Sequence, residues 1–344
     1  MDRQRWHILI IIAIHVIVYF LVNTSVLLRV WGAENNDFTL NYTRAVENFL
    51  SDPATLYNSP DPRMRMRTLP AVVLYYAIFH LISPTPSGGY LACVFWMVIW
   101  NIGSVLVLEK ITTLEGFRSI QTRTFLKDPR VLSLFYLCYF WHSGEYYSGQ
   151  PNVIAGFFVI LGMYYALQSR TAMALFSWGI AMTFKLYPVF LILFFLLKSG
   201  KRDFFKNVLF IALSMLPNLL MFLAWPSLLF SFINENISTS LATTFSIFPS
   251  GSLARLLSIF LPVPFLALVV IVLITILPAI IISFLKHGDH MNIIDQAILS
   301  FTCGIVVFPD FYPGHSIILW GIFLLWLATN NNRINSILKT IYFI

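Results

Sequence analysis

Residues 171–197 read TAMALFSWGIAMTFKLYPVFLILFFLL, and one charge, Lys185, stands in that run three positions before Pro188. A membrane crossing takes about 20 apolar residues, so the run suits two closely spaced membrane helices, near 171 to 186 and 187 to 198. Pro188 breaks the helix between them, because proline lacks the N–H that a helix interior needs. The Lys185 ammonium must then point into a polar cavity or snorkel to the surface.

The whole chain has that character. Of its 344 residues, 58% are hydrophobic and 11% charged, with a mean hydropathy of +0.78. A soluble domain carries about 25% charged residues, so the composition excludes one and predicts an all-α, multi-pass integral membrane protein. Besides the two helices above, spans are expected near 7 to 28, 89 to 110, 131 to 146, 152 to 168, 207 to 224, 263 to 286, 292 to 308 and 315 to 329. The first is too long for a secretion signal and lacks a small-residue cleavage site, so it reads as an anchor helix. Several others are short, which suggests helices that end inside a protein-lined cavity. Cys93, Cys138 and Cys303 all fall in hydrophobic runs without metal-ligand spacing and are expected to be free, buried thiols.

The stretch from Pro70 to Ile82 is apolar enough to cross, but counting it would put the basic runs Arg118 to Arg130 and Lys198 to Lys206 outside. Lys and Arg accumulate on the cytoplasmic side, so this stretch reads as a re-entrant or interfacial helix. Ten crossings result, with both termini cytosolic and 15 of the 22 Lys and Arg residues on that side. The net charge of +7 is thereby an orientation signal, and nucleic acid is not expected as a partner. The chain is read as one polytopic domain, 1 to 344, with two sizeable outer segments, roughly 29 to 88 and 225 to 262, and nearly every unusual polar residue on the outer side.

In the first outer segment, Phe38 to Leu50 has the apolar spacing of an amphipathic surface helix, with Asp37 at its N-cap position. Asp37 is a cap, a base, or both. Arg63, Arg65 and Arg67 alternate along one face of an extended segment and suit a phosphate or anionic head groups. Glu145, Gln150 and Asn152 surround a helix start at 152, where the amides cap the helix or meet sugar hydroxyls. Arg255 and His315 complete the outer set, His315 opening the last span either as a bonded structural residue or as part of a site. Asn41-Tyr42-Thr43 and Asn236-Ile237-Ser238 are glycosylation triplets of the kind that chance also produces.

Taken in order, Asp37-Phe38 with Tyr42, Leu56-Tyr57, Pro70, Gly149-Gln150-Pro151-Asn152, Lys185-Leu186-Tyr187-Pro188, Ser252 with Arg255, and His315 resemble the polytopic GT-C glycosyltransferases. Within them the chain is most similar to glycosyltransferase family 87, the polyprenyl-phosphate-mannose-dependent mannosyltransferases and their relatives. The resemblance covers about residues 30 to 320. It implies transfer of a sugar from a lipid phosphate on the outer face to a lipid- or protein-linked glycan, with Asp37 as the catalytic aspartate. Two departures stand out: a single His315 after Gly314 where the family often has paired histidines, and the arginine triplet where it often has Tyr-Pro-Pro.

The chemistry of the residues agrees. Glycosyl transfer from a phosphate needs a base for the acceptor hydroxyl and cations for the departing phosphate. Asp37 suits the first role; Lys185, Arg255 and one of Arg63, Arg65 or Arg67 suit the second. Gln150, Asn152, His315, Tyr42 and Glu145 are the remaining candidate substrate contacts. A base on the face opposite the leaving group inverts the anomeric centre. No P-loop or dinucleotide fingerprint is present, so the donor is expected to be lipid-borne, and without an Asp-x-Asp pair in the first outer loop no divalent metal or other cofactor is expected. The partners are then membrane lipids, a polyprenyl-phosphate sugar and a glycan acceptor, at a plasma membrane or the endoplasmic reticulum. A lipid or lipid-linked-sugar transporter using Asp37, Lys185 and His315 is the alternative from another class, and a non-catalytic subunit of a glycosylation complex a third.

Overall fold

The computed structural model describes residues 6, 8–17, 36–57, 66, 68–83, 85–121, 126, 128–234, 252–260, 265–287, 291–307 and 313–329. Among these the protein is all-helical. The helices are α1 (Ile8–Ile17), α2 (Arg44–Ser51), α3 (Val72–Ile82), α4 (Pro86–Thr113), α5 (Glu115–Arg118), α6 (Pro129–Leu137), α7 (Trp141–Ser148), α8 (Asn152–Leu167) and α9 (Thr171–Phe184). They continue with α10 (Val189–Leu197), α11 (Lys201–Ser214), α12 (Leu216–Ala224), α13 (Ser227–Ile233), α14 (Leu253–Phe260), α15 (Phe265–His287), α16 (Ile293–Val307) and α17 (Ile317–Thr329).

Helix lengths among the described residues do not by themselves reproduce the ten crossings, several of which are expected to be short. Two described helices, Gly88–Thr113 and Ala267–Lys286, are long and apolar enough to cross, and α11 with α12, bent by 64°, make a third if they are one span. The remaining apolar helices are shorter, and α3, with 11 residues, is about 16 Å long. Two expected spans break where the chain unwinds, 131–146 after Leu137 and 207–224 at Met215, while the expected division of 171–198 falls at Lys185.

Unwound backbone is tolerated at membrane depth only where protein satisfies its polar groups. The end of α6 shows how this is done. His142 Nε2–H donates to the Tyr136 carbonyl at 2.9 Å, and His15 Nδ1–H donates to the Leu137 carbonyl at 3.1 Å. His15 Nε2 accepts from the Tyr146 hydroxyl at 2.8 Å. Asn101 Nδ2 donates to the Tyr146 oxygen at 2.6 Å, and the Tyr136 hydroxyl donates to Asn101 Oδ1 at 3.3 Å. Two imidazoles thus cap a helix that stops mid-protein, and with the Asn101 amide they tie α1, α4, α6 and α7 together. Cys138, at the break itself, faces outward and corrects the expectation of three buried thiols, which holds for Cys93 and Cys303.

Helix α8 is central, packing on α4, α9 and α17. Its approach to α9 depends on Gly162, where an added Cβ would lie 2.2 Å from Trp178 Nε1. The indole instead donates to the Val159 carbonyl at 3.2 Å. Small residues that let helix backbones approach are the usual packing device inside membranes. Buried Asn218 locks α3 in place: its Oδ1 accepts from the Ala71 amide at 2.9 Å, while its Nδ2 donates to Thr183 Oγ1 at 2.9 Å.

Candidate active site

Four breaks in helical structure converge to make the site. The first lies at Asn36 to Thr43, where one π-helical turn, Phe38–Thr43, leads into α2. Asp37 occupies the N-cap position but makes no side-chain cap bond there. Asn36 does that work, its Oδ1 accepting from the Thr39 amide at 2.9 Å. The reading of Asp37 as a helix cap is therefore corrected, and its carboxylate is left for other contacts. Asn41 Nδ2 donates to Asp37 Oδ1 at 3.3 Å, and Thr43 Oγ1 turns inward onto the Phe38 carbonyl at 3.1 Å.

The second break separates α7 from α8. Gly149 ends α7 in the left-handed region at φ 66°, and Pro151 precedes α8. A Cβ on Gly149 would come within 2.7 Å of the Phe38 Cβ. The Gly149 carbonyl accepts from the Tyr76 hydroxyl at 2.8 Å. Phe38 sits among the rings of Tyr76, Phe79 and Tyr90, so the Asp37 turn is pinned beside Gln150. Gln150 Nε2 donates to Asp37 Oδ2.

Lys185 supplies the third. It is the extended residue, φ −151° and ψ 136°, that ends α9, because Pro188 has no N–H for the Phe184 carbonyl four residues back and its ring would clash with that carbonyl in a continuous helix. The side chain turns inward: Nζ lies 3.4 Å from Gln150 Oε1 and 3.5 Å from His315 Nε2. His315, buried in the turn Pro313–Ser316 that forms the fourth break, is held by the Tyr187 hydroxyl at 2.7 Å from Nδ1. With the ammonium donating to Nε2, the ring proton sits on Nδ1 and points at the Tyr187 oxygen.

Asn152 and Glu145 form the floor. Asn152 Nδ2 donates to Glu145 Oε1 at 2.8 Å and to Gln150 Oε1 at 3.2 Å, and the amide does not cap α8. Glu145 Oε2 and Asn152 Oδ1 are buried with no hydrogen-bond partner among the described residues. Gly314 leaves room beside this carboxylate, since a Cβ there would lie 3.2 Å from Glu145 Oε1. Tyr42 stacks on Tyr76 with centroids 4.0 Å apart. Burial, with the Asp37 and Glu145 carboxylates nearby, holds its phenol well above the ordinary range, so it remains neutral.

The structure thus joins Asp37, Gln150, Asn152, Glu145, Lys185 and His315, with Tyr42 against them. Arg255 lies in the first turn of α14, its amide bonded to Ser252 Oγ at 3.2 Å, and the bonds linking the other six do not run through it. Arg63, Arg65 and Arg67 lie outside the described residues. Sequence reasoning passed over Asn36, Asn41 and Tyr187 as site residues. Tyr187 was signalled by its place two residues after Lys185 in the unwound segment. Among the described residues, no group of three or more His, Cys, Asp or Glu side chains could hold a metal ion.

Fold and site together define a helical membrane protein whose polar groups meet where short helices end, with a carboxylate and an ammonium held by one amide. The model of glycosyltransferase family 87 matches residues 69–309. That is more than half of the chain, and the protein belongs to this family of glycosyltransferases. The match contains Glu145, Gln150, Asn152, Lys185 and Arg255, while Asp37, Tyr42 and His315 lie beyond its ends. No curated protein matches the chain.

Proposed function

We propose that this glycosyltransferase is an inverting enzyme that moves mannose from a polyprenyl or dolichyl phosphate to a hydroxyl of a lipid- or protein-linked glycan. Gln150 carries the reading: its nitrogen holds the Asp37 carboxylate and its oxygen lies 3.4 Å from the Lys185 ammonium. A displacement at a phosphate-linked sugar needs a base and a cation on opposite sides of the anomeric carbon. Asp37 takes the acceptor's hydroxyl proton as that oxygen bonds to the carbon. The bond to phosphate oxygen breaks, and its electron pair leaves with the phosphate toward Lys185, backed by His315 and assisted by Arg255. One such step converts a β-linked donor into an α-linked product. The unpaired Glu145 Oε2 and Asn152 Oδ1 suit sugar hydroxyls, which donate to them. With these cations meeting the phosphate, the reaction is read as needing no divalent metal.

The distribution of Lys and Arg supports ten crossings, cytosolic termini and a site on the outer face, in a plasma membrane or the endoplasmic reticulum. The test is transfer by purified protein in nanodiscs from radiolabelled polyprenyl-phosphate-mannose to a total lipid extract, comparing wild type with Asp37→Asn. Removing the base is expected to lower turnover by about 10²- to 10⁴-fold in a variant that still elutes as folded protein. Equal turnover would remove Asp37 from the base role. No transfer by either protein would overturn the mannosyl donor.

A further inference from the structure

At the other end of α9 and α10 from Lys185 lies a cavity of about 570 Å³. Its wall includes Arg170, Lys198, Lys206 and Asp203, with Phe195 and Phe210 as apolar neighbours. Three cations against one carboxylate leave an excess of two positive charges. The helices α9 and α11, each of 14 residues, both begin at this wall with no side-chain cap on their first turns, which adds the positive ends of two helix dipoles. Outside the cavity lining, α11 exposes Phe205 (80%), immediately before the cavity's Lys206, and Leu209 (56%), three residues after it. Helix α9 alone places the cavity about 21 Å from Lys185, so this is a second site.

We propose that the cavity binds the phosphate head group of an anionic phospholipid, with the acyl chains lying along the apolar face of α11. Concave basic wall and adjoining apolar surface match the two ends of one amphiphile, and basic pockets between membrane helices recognise such head groups. A soluble anion would use the first feature and have no contact with the second. The proposal does not depend on which sugar or acceptor the enzyme uses.

Native mass spectrometry of the detergent-purified full chain, with phosphatidylglycerol and phosphatidylcholine of matched acyl chains, tests it. Arg170→Gln/Lys198→Gln/Lys206→Gln is expected to lose bound phosphatidylglycerol by roughly tenfold or more while phosphatidylcholine adducts are unchanged. Equal retention by wild type and variant overturns the site. If millimolar inorganic phosphate displaces the lipid completely from wild type, the cavity is a plain phosphate site and the lipid assignment is overturned. Should the triple variant misfold, exposed Lys206→Gln alone is expected to show a loss of roughly fivefold, and an unchanged adduct level in it counts against the proposal.

Discussion

Gln150 donates its side-chain N–H to the carboxylate of Asp37, a residue 113 positions earlier in the chain. The same amide faces Lys185 through its oxygen, so the proposed base and the proposed phosphate contact share one positioning group. Gln150→Ala is expected to reduce kcat by about 10- to 100-fold, the cost of misplacing reacting groups by an ångström or so. The donor KM should change far less. A variant with unchanged kcat would show that Asp37 finds its position without the amide.

Tyr187 acts at one remove, through His315. Tyr187→Phe deletes the hydroxyl 2.7 Å from His315 Nδ1 and keeps the ring. A modest loss is expected, about 5-fold in kcat/KM, near 1 kcal/mol for one neutral hydrogen bond. Lys185→Met, which removes the charge itself, should cost far more. Side-by-side kinetics check the order, and a Tyr187→Phe loss as large as that of Lys185→Met would contradict it.

Gly149 meets two demands at once, a left-handed backbone and contact with Phe38. Gly149→Ala is expected to destabilise the protein by about 1–2 kcal/mol from backbone strain alone. Displacement of Phe38 should add to this and lower activity as Asp37 moves. Thermal unfolding in detergent, paired with the transfer assay, measures both, and an unperturbed melting temperature would argue against the strain.

Asn101 is central to the knot that closes the end of α6. Asn101→Leu leaves the Tyr136 hydroxyl and the His142 Nδ1 without the amide that met them. A loss of about 2 kcal/mol is expected from the stranded polar groups. Catalytic constants of the folded fraction should be retained, since none of the knot's bonds runs to Asp37, Gln150 or Lys185. Thermal shift and specific activity of the monodisperse fraction separate the two effects.

Much of the site was legible because each member is costly where it stands. A lone lysine in an apolar run and two amides at a helix start each demand a partner, and they proved to be one another's partners. The choice between Asn36 and Asp37 as the cap was not legible. Both side chains can cap, and a one-residue difference in where the helix begins decides which carboxyl or amide oxygen reaches the Thr39 amide. The break after Leu137 was hidden for another reason. No proline or glycine stands at 138–140, so hydropathy runs on unbroken, and the interruption is stabilised by His15 and His142, the former from far away in sequence. Helix length among the described residues does not reproduce ten spans, while the helical class and the break beside Pro188 agree with the sequence.

The triplet Asn41-Tyr42-Thr43 gains a different meaning from its bonds. An oligosaccharide would have to be attached to the very nitrogen that Asn41 extends to Asp37, next to a threonine hydroxyl already turned onto the Phe38 carbonyl. Sugar attachment would replace one of the two hydrogens on that nitrogen, in a turn where Asn41 is only partly exposed, and so competes with the bond to Asp37. A glycosyltransferase thus carries an acceptor triplet in the turn that holds Asp37, with the triplet's asparagine already engaged by that carboxylate.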